Sequence, residues 1–250
     1  MRTWRAFTLV ELLVVVAIIA VLVAISVPSL QRAIYLARST ACGSNKHQIC
    51  VGMGSYATAN EGYYPARYPQ QNTYNHAYWF GKEGNPKLDV HEIFEKYLGG
   101  PADDGPPPVL LCPVAPQGIW GVKITWPLVG IYRTHVTVYA GYNWATASAS
   151  CCVPHLPLDQ MPQRVDQAPH RPMAGDLIEY MSGNSSQGYS GWDTPHSSDP
   201  RYHVRAAGGP EDPPPDPIPF AFGDGSVRFT SRLEPCYTDQ GWGTNYWAAP

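Results

Sequence analysis

A chain of 250 residues with a formal charge of −3 and no basic block lacks the electrostatic footprint of a nucleic-acid binder. That length holds one membrane helix and one head domain of ordinary size, and a second full domain would be crowded. Gly 23 and Pro 26 fall short of a disordered composition but predict a loop-rich head, which aromatic residues at 12% can fill.

Phe7 to Leu30, FTLVELLVVVAIIAVLVAISVPSL, carries no charge except Glu11 and is long enough to cross a bilayer core as a helix. Ahead of it stands MRTWRA, with Arg2 and Arg5, a charge placement that holds this end in the cytoplasm and sends the bulk of the chain across. A cleaved signal peptide fits poorly. The apolar run exceeds a usual signal core, and Ser26-Val27-Pro28-Ser29 is a weak cleavage site. A carboxylate one turn into such a helix is expensive, so Glu11 needs a partner or a function.

Ala6-Phe7-Thr8-Leu9-Val10-Glu11, followed by the apolar helix and Pro28, resembles the N-terminus of type IV prepilins and type II secretion pseudopilins. The resemblance implies a prepilin peptidase cut between Ala6 and Phe7, methylation of the new Phe7 amine, and neutralisation of Glu11 by the terminal amine of a neighbouring subunit during assembly. In that family Gly usually stands where this chain has Ala6. Pro28 removes a backbone hydrogen bond and is expected to kink or loosen the helix. Residues 1–6 then form a leader, 7–30 the membrane and filament-core helix, 31–60 an amphipathic stalk and 61–250 the head.

In the stalk, Leu30, Ile34, Ala37 and Ala41 recur at helical spacing, and Gly43, Gly52 and Gly54 are expected to weaken the later turns. Glu61-Gly62-Tyr63-Tyr64-Pro65 reads as a stop. A helix from Phe7 to near Tyr56 would be about 75 Å long, more than a compact head covers. Its first half must be buried in lipid before assembly and against copies of itself afterwards. Ala37-Arg38, Cys42, Asn45-Lys46-His47-Gln48-Ile49, Tyr56 and Gly62 to Pro65 resemble the stalk signature of a narrower family of bacterial prepilin-like proteins, whose head is a domain of unknown function; His47 and Cys50 depart from it. Cys42 and Cys50 would lie about 12 Å apart on one helix, too far to bond each other, so each needs a partner in the head.

In the head, Val90 to Leu98 reads as a short helix. Val109-Leu110-Leu111-Cys112-Pro113 is similar to the Cys-Pro segment of the narrower family, and that resemblance makes Cys42 with Cys112 the expected disulfide, two unpaired thiols being the alternative. Strands are expected over Gly118 to Trp126, over Gly130 to Tyr142 with Thr134, Val136 and Val138 on one side and His135, Thr137 and Tyr139 on the other, and over Met173 to Ile178. Cys151 and Cys152 are adjacent and would pair elsewhere, with Cys50 or Cys236. Phe220 to Phe229 is a hairpin around Asp224-Gly225, resembling the closing His-through-Asp-Gly signature of the narrower family, with His203 the nearest candidate His. The Pro-rich run 205–219 reads as a surface loop.

His155, His170, His196 and His203 with Asp193, Asp199 and Asp224 lack metal-ligand spacing, and no nucleophile sits in an elbow motif. They read as surface histidines and turn aspartates, and no catalytic residue or cofactor is expected. Some pseudopilins bind calcium in a C-terminal loop, and Asp224 with Asp193 or Asp199 could supply hard oxygen ligands. Trp242, Tyr246 and Trp247 could stack on sugars, but core packing or docking of the tail is the preferred role.

The expectation is an α+β, pilin-like subunit, with a long N-terminal helix packed on a small antiparallel sheet. It would start as a single-pass precursor in the inner membrane, engage the prepilin peptidase and an assembly platform, and polymerise with copies of itself into a pilus or pseudopilus. A minor tip pseudopilin or adhesin, or a membrane-anchored extracytoplasmic enzyme, are the alternatives.

Overall fold

The computed structural model describes residues 7–65, 79–81, 96–99, 107–115, 131–133, 135–141, 152–154, 162–167, 169–176, 178–181, 191–194, 196, 216–239 and 243–248. The chain divides into two compact units, Met1–Arg38 and Ser39–Pro250.

The first unit is the N-terminal part of α1 (Leu9–Ala59). Thr8 opens the helix, its carbonyl accepting from the Leu12 N–H at 3.2 Å. The apolar side chains from Leu9 to Leu30 are exposed all round, and this stretch makes α1 long and apolar enough to cross a membrane. The helix continues through Pro28 without interruption. Nearby, Ser26 donates its hydroxyl to the Leu22 carbonyl at 2.7 Å and Ser29 to that of Ser26 at 2.8 Å. These bonds hide two polar groups inside the helix, which suits an apolar solvent.

In the second unit α1 is one-sided. Ser39, Cys42, Gly43, Lys46, Ile49, Cys50, Met53 and Ala57 are buried, a helical repeat that turns one stripe towards the head. The glycines there serve packing. A Cβ at Gly52 would stand 2.3 Å from Leu98 Cδ2 and 2.8 Å from the Tyr97 carbonyl, so only glycine lets the turn at 96–98 approach, and a Cβ at Gly43 would stand 3.1 Å from the Phe229 ring. α1 nevertheless runs through Gly43, Gly52 and Gly54 to Ala59, and Gly54 has open space where a Cβ would stand. It ends where Glu61 (φ 55°) and Gly62 (φ 82°) turn left-handed and the Gly62 N–H reaches back to the Ala57 carbonyl at 2.8 Å.

The strands in chain order are β1 (Trp79–Gly81), β2 (Ile131–Arg133), β3 (Val136–Val138), β4 (Cys152–Pro154), β5 (Pro172–Asp176), β6 (Glu179–Met181), β7 (Gly191–Asp193), β8 (Ile218–Phe222), β9 (Val227–Thr230), β10 (Leu233–Asp239) and β11 (Gly243–Ala248). The sheet that meets the helix has the order β3-β5-β8-β9 and is antiparallel throughout. Its register sets Val136 beside Asp176, Val138 beside Ala174, and Ala174 beside Ala221. Val136, Val138, Ala174 and Ala221 pack with Ile49, Met53 and Ala57 of the helix and with Leu110 and Met173 into one core. This is the expected α+β, pilin-like arrangement.

The strand at 136–138 departs from the expected alternation, since Val136, Thr137 and Val138 are all buried, so both sides of this strand are covered. The hairpin falls as read: Gly225 is left-handed (φ 80°), and the Phe222 N–H donates to the Ser226 carbonyl at 2.9 Å. The described residues form two further sheets, β1-β2 and the five-stranded β4-β10-β11-β6-β7. The C-terminal stretch contributes a strand, β11, hydrogen-bonded between β10 and β6. Of the expected helix at Val90 to Leu98 only Lys96–Leu98 are described, and they are helical; the expected strand at 118–126 lies outside the described residues.

Candidate functional site

Among the described residues, two places carry chemistry. The first is the helix start. Glu11 accepts at Oε2 from both the N–H and the hydroxyl of Thr8, each at 2.8 Å, and returns its own N–H to Thr8 Oγ1 at 3.3 Å. Thr8-Leu9-Val10-Glu11 is therefore a reciprocal capping box, which satisfies donors that the first helical turn leaves open. The box is not among the sequence expectations, although its Thr-x-x-Glu spacing is visible there. Phe7 is exposed, Ala6 lies outside the described residues, and Pro28 sits within α1.

The second place is a polar cluster sealed inside the head. Cys42 and Lys46 project from successive turns of α1, and Asp176 ends β5. Cys112 follows the short 3-10 turn Pro108–Leu110, and His196 lies just beyond β7. Lys46, Asp176, His196 and Cys42 are all 0% exposed and Cys112 is 3% exposed. Buried charge survives only when paired, and the geometry pairs it. Lys46 Nζ lies 2.6 Å from Asp176 Oδ1 and 3.3 Å from Cys42 Sγ. Asp176 Oδ2 faces His196 Nδ1 at 3.1 Å and Cys42 Sγ at 3.3 Å. His196 Nδ1 is also 3.5 Å from Cys112 Sγ, while its Nε2 meets Ser39 Oγ at 3.2 Å. Cys42 and Cys112 are free thiols with sulfurs 3.3 Å apart.

The electrostatics follow. Burial would push the Asp176 carboxyl up, but the Lys46 ammonium and His196 outweigh it and hold it well below the usual carboxylate range. Burial would lower Lys46, but Asp176 keeps it above its ordinary value. Burial likewise opposes the charged form of His196, yet the Asp176 contact raises it to about 9. For Cys42, burial acts upward, while the Cys112 hydrogen bond and Lys46 bring it to about 7; the Cys112 thiol is pushed well up, first by burial and then by its bond to Cys42. The cluster is an alternation of positive and negative groups in a dry place.

Among the expected site residues, Cys42 and Cys112 are brought together. The Asp224 carboxylate is used in the hairpin turn, accepting from the Ser226 N–H at 2.9 Å and from Arg228 at 3.3 Å, with His170 Nδ1 at 3.6 Å. Asp193 ends β7 in the five-stranded sheet, and Asp199 lies outside the described residues, as do His155 and His203. His196 corrects the reading of the histidines as surface groups, being fully buried. Cys50 corrects another: it is a free, buried thiol 3.4 Å from the Phe222 carbonyl and 3.7 Å from Met173 Sδ, with no disulfide partner among the described residues. Asp176 is not among the expected site residues either. Its signal is a single carboxylate in the otherwise uncharged segment Met173-Ala174-Gly175-Asp176-Leu177-Ile178.

Residues 5–27 match the prokaryotic N-terminal methylation motif. No curated protein and no solved structure matches the chain. The matched segment covers the leader junction, the capping box and most of the apolar part of α1, which places the chain's N-terminus with those of the type IV pilin and pseudopilin class.

Proposed function

We infer that this chain is a structural subunit of a helical filament of the type IV pilus or type II secretion pseudopilus kind. The observation that carries the reading is the coincidence of the methylation motif at residues 5–27 with a helix whose apolar side chains are exposed on every side. Such a surface belongs in hydrocarbon or against other apolar helices. The precursor inserts with its N-terminus in the cytoplasm, and the prepilin peptidase cuts between Ala6 and Phe7. The assembly platform then moves the helix from lipid into a bundle of its own copies. Because lipid is as apolar as the bundle, close packing and charge pairing at Glu11 supply the gain in that transfer. Copies related by a rotation that does not close extend without limit, which makes a filament.

The buried cluster supports a structural head. Cysteine, histidine and aspartate are the residue types of a thiol hydrolase, but here the groups lie between helix and sheet at 0–3% exposure, where a substrate has no approach. Shearing cells and probing the released fibres with an antibody to the head tests the reading. Fibres decorated along their length support a main subunit, decoration at the tips alone supports a minor tip subunit, and a chain found only in membranes removes the filament function.

A further inference from the structure

We propose that Cys42, Cys112, Asp176 and His196 form a binding site for a divalent transition-metal ion, with Zn2+ the expected occupant, that ties the stalk half of α1 to the head. The site stands independently of the filament function.

Geometry is the first support. One donor atom from each residue lies within 4.8 Å of all the others. Around the ring they form, Cys42 Sγ to Cys112 Sγ is 3.3 Å, Cys112 Sγ to His196 Nδ1 3.5 Å, His196 Nδ1 to Asp176 Oδ2 3.1 Å, and Asp176 Oδ2 to Cys42 Sγ 3.3 Å. A tetrahedral zinc ion with ordinary bond lengths to sulfur, nitrogen and oxygen requires donor separations of roughly 3.3–3.8 Å. Entry of the ion therefore needs only shifts of a few tenths of an ångström along the ring, with the wider-spaced donors, up to 4.8 Å apart, drawing together. The four donors arrive from four separate chain segments and converge on one point. A disulfide between the two sulfurs would need neither His196 Nδ1 nor Asp176 Oδ2 to face that point.

Charge is the second support. Two thiolates and a carboxylate are balanced by a divalent ion and the Lys46 ammonium, so the loaded site is neutral, as a fully buried site must be. Binding releases the thiol protons and the Nδ1 proton of His196 to solvent. The third is the set of groups behind the donors. His196 Nε2 lies 3.2 Å from Ser39 Oγ, which can accept the Nε2 proton once Nδ1 gives up its own to bind the ion. Lys46 holds Asp176 by Oδ1, freeing Oδ2, and also donates to Cys42 Sγ. The Cys112 N–H donates to His135 Nδ1 at 2.9 Å, and Asn45 Nδ2 donates to the Leu111 carbonyl at 3.3 Å, which fixes the Cys112 segment on the helix. Two thiolates with one imidazole and one carboxylate in a closed, four-donor site suit zinc better than magnesium or calcium, which take oxygen ligands in greater number.

The test is elemental analysis of the full-length chain purified in detergent without chelator, paired with Co2+ loading of the metal-stripped protein. Expected are one equivalent of zinc per folded chain and, with cobalt, the strong visible absorption of a tetrahedral ion with a thiolate charge-transfer band. His196→Ala and Cys112→Ser should lose the metal and the charge-transfer band. Ser39→Ala, which touches no donor bond to the ion, should keep the site but weaken zinc about tenfold or more. The proposal is overturned by a metal-free wild-type chain that takes up no cobalt, by a Cys42–Cys112 disulfide in its peptide map, or by undiminished zinc in a folded His196→Ala chain. Should both ligand variants fail to fold, the wild-type metal content, the cobalt spectrum and Ser39→Ala still decide.

Discussion

Lys46 Nζ sits 2.6 Å from Asp176 Oδ1, and neither side chain reaches solvent. The contact joins the stalk helix to the last residue of β5, so it fixes both the rotation of the helix and its height on the sheet. A pair of this kind adds little net stability over an apolar alternative but is costly to break.

Lys46→Met should therefore destabilise the head by about 3–5 kcal/mol, because it leaves Asp176 buried beside an uncharged neighbour. In metal-stripped protein, adding Asp176→Asn to that variant should return part of the loss, since the buried carboxylate left with His196 alone is gone. Urea unfolding of the full-length chain in detergent, followed by near-UV circular dichroism, reads both midpoints.

Two glycines on one helix should respond in opposite directions. Gly52→Ala drives a Cβ against Leu98 and the Tyr97 carbonyl and should cost about 1–3 kcal/mol. Gly54→Ala meets nothing within 4 Å and should stabilise by up to about 1 kcal/mol, the difference in helix propensity. Melting temperatures of the two variants, compared with the parent, check the sign of each.

Cys50 should be inert in the folded chain. Burial, and secondarily the charge of Asp224, push its thiol up to about 12, so almost no thiolate exists near neutral pH. Iodoacetamide at neutral pH should leave it unmodified until the chain is unfolded, as peptide mass mapping would show. Rapid labelling in the native state would mean that the stalk and the sheet separate readily.

Glu11→Ala should leave membrane insertion intact while incorporation into sheared fibres falls sharply. Insertion depends on the apolar run, whereas the proposed assembly step uses the carboxylate. The Thr8 contacts add a control: Thr8→Ala removes one half of the capping box yet keeps the charge, and should cost about 1 kcal/mol of helix-start stability without abolishing incorporation. Quantitative immunoblots of membrane and shear fractions compare the three chains.

What the sequence made legible was whatever is encoded locally. The apolar run from Phe7 to Leu30, the stop at Glu61-Gly62 and the Asp224-Gly225 hairpin each lie within a short window, and each stands in the structure. Cys42 and Lys46 were already visible in the stalk signature, four residues apart on one helical face. The rest of the cluster is assembled by pairing across the chain. Asp176 reads as one polar residue in a strand until the register sets it beside Val136, and His196 lies in a polar stretch where His203 was the nearer match to the hairpin. The five-stranded sheet stayed hidden because β4, β6 and β7 are three residues each, too short for periodicity to show. Gly43 and Gly52 read as weak points because propensity is local, while the Phe229 and Leu98 side chains that need the space come from far along the chain.

The central claim, that the apolar helix enters a filament after its leader is removed, is tested most directly by mass spectrometry of the N-terminal peptide from sheared fibres. The predicted result is a chain that begins at Phe7 with a methylated amine. Assembled material that still begins at Met1 would contradict it.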